Sequence, residues 1–383
     1  MKIGIDARLF GPEQGGLGRY IEQLILHLEK IEGPHEFIIF LRKKNWDSYH
    51  PINPHFKKVL ADIPWYGWRE QFFLTKMINK EHCDLVHFPH WNVPLCYRRP
   101  FIVTIHDLLL LHYPSQKAST LSPLYYRLKQ GLFRLVLNHA ARKAKHIITV
   151  SEFSKQDIAA TLRIPTEKIS VTYLAPYETA DQSNETALNE KKPKTNNLKS
   201  LGINRPYILY VGVAFPHKNL DSLLKAWKLF CQNHGHAYQL VLAGPNNYFY
   251  QKLQSDSMAT NVIFTGFVSD NTLAELYANA ALYVFPSLYE GFGLPPLEAL
   301  RHCVPVVASS ASCLPEILGD GADYFDPLDI QMMATTLWRG LKDLALREKI
   351  LATGPKTLSR YSWAATAEKT MQLYLNTVDK NRI

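Results

Sequence analysis

Four stretches of the chain, three of them containing glycine or proline, set chemically capable side chains just past an expected strand. The strongest is Glu290-Gly291-Phe292-Gly293-Leu294-Pro295-Pro296-Leu297-Glu298, directly after the apolar run Leu282–Phe285. Its glycines allow close approach of backbone and ligand, its prolines fix a helix start, and Glu298 is expected in that helix's first turn. Carboxylate oxygens accept hydrogen bonds from sugar or ribose hydroxyls, and amides freed over 291–294 hold phosphate or sugar oxygens. The chemistry expected here is recognition of a hydroxylated, phosphorylated ligand; for Glu298 the blander alternative is a partner for the helix dipole.

The other three are weaker. In Gly212-Val213-Ala214-Phe215-Pro216-His217-Lys218-Asn219-Leu220 the lysine falls at a helix N-terminus, where a cation is disfavoured unless an anion binds between them. A phosphate site and a lysine extended into solvent both fit. In Thr104-Ile105-His106-Asp107-Leu108, neighbours on an extended chain point to opposite sides, so one of His106 and Asp107 anchors a loop unless the strand has already ended. His87, His90 and His106 lack regular ligand spacing and a carboxylate partner, so no metal is expected. Gln14-Gly15-Gly16-Leu17-Gly18-Arg19-Tyr20 offers helix-start amides to a phosphate, or is simply a tight turn. Read from Gly16 it gives Gly-x-Gly-x-x-Ile, without the third small residue of a dinucleotide fingerprint, which argues against an NAD enzyme.

Repeated βα units must position these loops. Short runs rich in Val, Ile, Tyr and Phe at 2–7, 37–42, 85–88, 101–106, 147–150 and 169–174 read as strands, with helices at 17–31, 65–79, 123–145 and 154–162. Residues 179–200 have almost no large apolar side chain and read as a linker. The alternation then restarts, with strands at 207–213, 239–243, 262–267, 282–285, 305–308 and 323–325, and helices at 220–232, 272–279, 296–301, 330–344 and 363–374. The expected fold class is α/β, two doubly wound Rossmann-like domains facing each other across a cleft. Residues 1–178 form the first domain, 179–204 the linker and 205–360 the second, with 361–383 expected to pack back on the first. Ligands of such sheets bind outside the carboxyl ends of the strands.

The 383 residues are 46% hydrophobic, and no apolar run approaches the roughly 18 residues of a membrane span. The N-terminus lacks the apolar core of a signal peptide, so a cytoplasmic address is expected. Five cysteines without CxxC spacing encode neither a disulfide framework nor a zinc site, and buried free thiols are expected. Residues 1–178 hold 24 Lys+Arg against 16 Asp+Glu, leaving 19 against 18 for the rest. That asymmetry calls for an anionic partner of the first half.

At the 290–298 loop the chain resembles the family 4 retaining glycosyltransferases of GT-B fold, marked by two glutamates separated by seven residues. DARLFGPEQGGLGRY, TIHDL, ITVSEFSKQDI, YVGVAFPHKNLDSLLKAW, LVLAGP, FTGFVSD and YVFPSLYEGFGLPPLEAL follow in that family's order and cover nearly the whole chain. The resemblance is nearest to bacterial O-antigen and polysaccharide enzymes, many of them mannosyltransferases using GDP-mannose. It implies that Gly15 and Gly16 approach the donor diphosphate, His106 lies beside the transferred sugar, and Lys218 neutralises the diphosphate. Glu290 with the backbone of Gly291, Phe292, Gly293 and Leu294 would hold sugar hydroxyls, and Glu298 the ribose. Base recognition would involve Gly266, Phe267 and Val268. Many members carry an arginine where this chain has Val213; His217 stands where a sister group has arginine, which leaves the second phosphate contact open.

The implied reaction is transfer with retention, the departing phosphate taking the acceptor proton, so that no enzymic nucleophile and no metal is needed. His106, Lys218 and Glu290 would carry it; GDP-mannose is the expected donor. The chain has no Asp-x-Asp. Between Leu108 and Ser151 there is no acidic residue but Lys117, Arg127, Lys129, Arg134, Arg142, Lys143 and Lys145, interleaved with Tyr125, Tyr126, Leu132, Phe133 and Leu135. Such a basic amphipathic stretch lies on anionic lipid, or packs its apolar face on the sheet. The expected acceptor is a glycan or a polyprenyl-diphosphate-linked saccharide, reached peripherally at the inner face of the cytoplasmic membrane. No nucleic-acid module is present. The alternatives are a donor of UDP-glucose or UDP-N-acetylglucosamine, and a non-catalytic scaffold of the same fold.

Overall fold

β-branched and aromatic runs short enough to be buried on both faces form strands of an all-parallel sheet. The computed structural model describes residues 1–114, 123–177, 196–256 and 260–379. Its first sheet is built from β1 (Lys2–Asp6), β2 (Glu36–Leu41), β3 (Phe56–Leu60), β4 (Leu85–Phe88), β5 (Phe101–Thr104), β6 (His146–Thr149) and β7 (Ile169–Val171). These pair in parallel in the order β3-β2-β1-β4-β5-β6-β7. The second sheet holds β8 (Tyr207–Val211), β9 (Gln239–Ala243), β10 (Val262–Gly266), β11 (Leu282–Phe285), β12 (Val306–Ser309) and β13 (Asp323–Phe325). Its order is β10-β9-β8-β11-β12-β13, again all parallel. Each sheet changes direction of growth once, between β1 and β4 and between β8 and β11. The loops that leave those strands open a crevice at each reversal, the usual ligand position of a doubly wound sheet.

The chain divides into two units: residues 1–111, 119–177 and 362–383 form one, 112–118 and 178–361 the other. In the first, the helix Gly15–Leu28 buries Tyr20, Ile21, Leu24, Ile25 and Leu28, a spacing that keeps one stripe toward the core. Against it packs the C-terminal helix Trp363–Asp379, pinned by Trp363 Nε1 donating to Pro176 O at 3.1 Å. In the second, the helix Leu220–His234 buries Leu223, Trp227 and Phe230 and lies beside the helix Ile330–Lys342.

Several expectations need correction. β3 was not expected: Lys57 and Lys58 obscure the period of an edge strand, where charge guards against pairing with other chains. The helix expected over 65–79 is a π-helical turn, Glu70–Leu74, running into a short helix, Thr75–Lys80. Of the expected linker 179–204, residues 179–195 lie outside the described residues, whereas Asn196–Ser200 is helical. Cys83, Cys231 and Cys313 are buried free thiols, but Cys96 and Cys303 are exposed. Among the described residues no helix is long and apolar enough to cross a membrane.

Candidate functional site

The loops after β8 and β11 meet at the reversal point of the second sheet. Past β8, a 3-10 turn over Pro216–Lys218 delivers the lysine, and its Nζ donates to Glu290 Oε1 at 2.6 Å. The two side chains are 15% and 13% exposed, so Lys218 does not extend into solvent. Asn219, in left-handed conformation at φ 60°, ties the loops together by donating to Pro286 O at 3.2 Å and Pro327 O at 2.8 Å. The Leu288 amide donates to His217 O at 2.7 Å and the Glu290 amide to Ser312 Oγ at 3.0 Å. A shielded lysine held in a fixed frame suits an arriving anion, because little reorganisation is left to do on binding.

The helix Leu294–Arg301 begins immediately after Gly293, whose φ of 89° favours glycine. Glu298 therefore stands in the second turn rather than the first, beyond the reach of a strong dipole effect. Its Oε2 accepts from the Tyr277 hydroxyl at 3.0 Å. Gly291, Phe292 and Gly293 are buried, with the Phe292 ring T-shaped against Tyr361 at 5.4 Å, so the side chain packs inward. Leu294 is half-buried. Gly266 ends β10 at φ 70°, and Phe267 beyond it is 82% exposed. His217 is buried against Phe215; burial, with Lys218 beside it, pushes its imidazole down to about 4. A neutral His217 brings no second positive charge to the loop. The Val213 carbonyl accepts from the Tyr210 hydroxyl at 3.0 Å.

In the first unit, Gly15 and Gly16 open the helix Gly15–Leu28, are exposed, and carry no side-chain cap at Gln14. A Cβ at either would meet nothing within 4 Å, whereas at Gly18 it would lie 2.0 Å from Gly11 O. Gly18 is thus needed for packing, and the first two glycines leave the positive helix end open. β5 stops at Thr104, so His106 and Asp107 both lie beyond the strand. Asp107 Oδ1 accepts from the Leu109 amide at 3.0 Å and anchors the loop. His106 Nε2 donates to Pro89 O at 3.2 Å, joining the β5 and β4 loops, and its ring stands T-shaped to Tyr20 at 4.6 Å. Among the described residues no group of three or more His, Cys, Asp or Glu side chains is arranged to hold a metal ion.

Two family models together span most of the chain: Glycosyltransferase Family 4 over residues 14–175, and Glycosyl transferases group 1 over residues 193–357. The O-antigen chain mannosyltransferase RfbU of Salmonella typhimurium is 31% identical over 70% of this chain and 68% of its own. The O-antigen chain mannosyltransferase B of Escherichia coli is 30% identical over 76% and 74%. The chain is a family 4 glycosyltransferase. Solved structures extend the likeness in fold. HepE of Anabaena, in complex with UDP-glucose, matches with TM-score 0.70 at 18% identity over 98% of this chain and 99% of that one. WaaG, a glycosyltransferase involved in lipopolysaccharide biosynthesis, gives 0.70 at 17% over 97% and 99%. The GT-B fold, two Rossmann-like domains, follows.

Sequence reasoning about this glycosyltransferase missed Tyr277, the partner of Glu298, and a buried charge triad under the first unit's β1 loop. There Arg8 donates to Asp6 Oδ1 at 2.8 Å and to Glu70 Oε1 at 2.6 Å. The run Asp6-Ala7-Arg8, an acid and a base two residues apart at the end of an apolar strand, was the available signal.

Three buried histidines of the first unit should lower the stability of the glycosyltransferase in acid. Burial pushes His87 and His90 down to about 3 and His106 to about 4, from an ordinary value of 6.5. Between those values the unfolded chain binds protons that the folded chain does not. The histidines' contribution to stability is complete above about 6.5 and is lost as the pH falls toward 4, at up to about 1.4 kcal/mol per pH unit for each. Urea midpoints measured from pH 7.5 to 4 should fall steadily below 6.5, and a level profile would show that these imidazoles are protonated in the folded chain.

Proposed function

We propose that this glycosyltransferase moves a hexose from a nucleotide sugar onto a polysaccharide or lipid-linked acceptor, with retention, as a step in building a cell-surface glycan. The observation that carries the reading is the 2.6 Å Lys218–Glu290 pair at the sheet's reversal point, with Glu298 on the adjoining helix. Lys218 and the helix-start amides offset charge growing on the leaving diphosphate; Glu290 takes sugar hydroxyls and Glu298 the ribose. Gly266 and Phe267 border the base, and Gly15, Gly16 and His106 serve the transfer from the first unit. The leaving phosphate accepts the acceptor's proton, and no metal is required.

Two donors are read for it. GDP-mannose is supported by the names of the sequence relatives, both mannosyltransferases. UDP-glucose, the second reading, has the more direct support: it is the nucleotide sugar named in a solved complex of this fold, while neither relative's name specifies a nucleotide. Thermal unfolding with GDP-mannose, UDP-glucose and UDP-N-acetylglucosamine, each with and without EDTA, separates them. A ligand at about 100 times its Kd adds roughly 2.7 kcal/mol to the folded state. One nucleotide sugar should raise Tm, with no change on adding EDTA. No shift with any of the three would favour the scaffold alternative.

Contact with an anionic membrane is part of the proposal. On the helix Pro123–Lys143, Leu137, Ala140 and Ala141 are buried, while Leu128, Leu132 and Leu135 are 60%, 55% and 50% exposed beside Arg127, Lys129 and Arg134. The apolar side chains are thus packed inward over residues 137–141 and exposed over residues 128–135, which supports lipid contact at the earlier turns. Lys117 lies outside the described residues, as do the side chains of Tyr125 and Tyr126. Phe133 meets Trp91 at 4.7 Å and Trp91 meets Tyr66 at 5.7 Å, extending the surface toward Trp68, 69% exposed, and Phe72, 62% exposed. Basic side chains around an open apolar patch favour an anionic interface. The protein should co-sediment with phosphatidylglycerol vesicles and not with phosphatidylcholine ones, and L132E should cut the bound fraction severalfold. Equal recovery with both lipids would reject the contact.

A further inference from the structure

Buried polar side chains in the first unit form a continuous chain that the site described above does not use. The Tyr374 hydroxyl, on the C-terminal helix, lies 2.6 Å from His87 Nδ1. His87 Nε2 lies 2.8 Å from Thr104 Oγ1, which in turn is 3.1 Å from the Tyr20 hydroxyl. Tyr374, His87 and Thr104 are fully buried and Tyr20 is 2% exposed. These residues come from four elements: the C-terminal helix, β4, β5 and the helix Gly15–Leu28. The chain ends at His106, whose imidazole stands at 89° to the Tyr20 ring with centroids 4.6 Å apart.

Apolar side chains would fill this interior with fewer geometric demands, since every buried hydroxyl needs a partner. The polar chain meets that demand throughout. A neutral His87 donates from one ring nitrogen and accepts at the other, so the hydroxyls of Tyr374 and Thr104 take opposite roles toward it. The Tyr20 ring is thereby fixed at its hydroxyl by Thr104 and along its body by Trp363, 6.2 Å away. For His106, donation from Nε2 to Pro89 O sets the tautomer, and Tyr20 sets the tilt of the ring.

We propose that Tyr20, held by Thr104, His87 and Tyr374, is a positioning residue for the His106 imidazole, through which the C-terminal helix governs the geometry of the β5 loop. The proposal rests on the reading that His106 serves the transfer. Tyr20→Phe and Tyr374→Phe each remove one hydroxyl and keep the ring. Both should shift the His106 ring resonances, assigned with His106→Gln, and lower kcat by roughly threefold to thirtyfold. The KM for the nucleotide sugar should stay within twofold. Met371→Ala, on the same helix but outside the chain, controls for loosening of the helix: it should lower Tm without moving those resonances. Unmoved resonances in both tyrosine variants would overturn the proposal, as would Met371→Ala shifting them equally. Moved resonances with an unchanged kcat would support the positioning and reject the role of His106 in transfer.

Discussion

Lys218→Ala lowers kcat/KM for the nucleotide sugar by roughly 10³, the expected loss when one charged donor to a developing oxyanion is removed. The geometry makes the loss larger than for a surface lysine. Nζ is 2.6 Å from Glu290 Oε1, both side chains are largely shielded, and the backbone on each side is laced by Asn219 and Ser312. In the variant, the Glu290 carboxylate remains in the same frame without its counter-ion, so an arriving diphosphate meets repulsion where it met attraction. Glu290→Ala and Glu298→Ala separate the roles: the first should mainly lower kcat, the second mainly raise the donor Kd, about tenfold, since each touches a different part of the ligand. Steady-state kinetics with single-turnover controls read both. Wild-type constants in Lys218→Ala would show that the diphosphate is held elsewhere.

Arg8→Met destabilises the protein by about 3–5 kcal/mol, the largest effect expected of any single substitution away from the donor loops. Arg8 is 1% exposed and Glu70 fully buried, and the guanidinium also donates to Ile63 O at 3.1 Å. Glu70 accepts two further hydrogen bonds from Asn92 and one from the Tyr66 amide, all at 2.9 Å. Burial alone would weaken the arginine's hold on its proton, but Asp6 and Glu70 more than reverse this. Without Arg8 the buried Glu70 carboxylate and the part-buried Asp6 lose their cation, and the π-helical turn carrying Glu70 loses its tie to β1. Urea unfolding should show the loss, and replacing Arg8 and Glu70 together by apolar residues should recover a large part of it. A midpoint shift worth under 1 kcal/mol would mean that the cluster relaxes or takes in water.

What could be read from the sequence divides along physical lines. Strands such as Leu85–Phe88 and Leu282–Phe285 are short apolar runs closed by glycine, proline or polar residues, and burial on both faces leaves little else they could be. Loops at their carboxyl ends were therefore located, with Glu290, Lys218 and His106 on them, whereas Glu298 stands one turn further into its helix than expected. Elements whose local signal opposes their state were missed. Gly354 and Pro355 stand inside the helix Leu344–Leu358, and lysines obscure β3. Side-chain partners were unreadable in principle: Lys218 and Glu290 are 72 residues apart, and His87 and Tyr374 are 287 apart. Strand order brings the first pair together, and the packing of the C-terminal helix brings the second.

That last separation bears on how the molecule is made. The unit that begins with β1 lacks its outer helix until residues 363–379 have been synthesised, whereas residues 178–361 of the other unit are nearly continuous in sequence. During vectorial synthesis the later half has all it needs to fold first. The earlier half waits with His87 Nδ1 lacking the Tyr374 hydroxyl and the helix Gly15–Leu28 lacking its C-terminal neighbour. The unit that is synthesised first thus finishes folding last, and nascent chains stalled before residue 363 are the ones expected to need a chaperone.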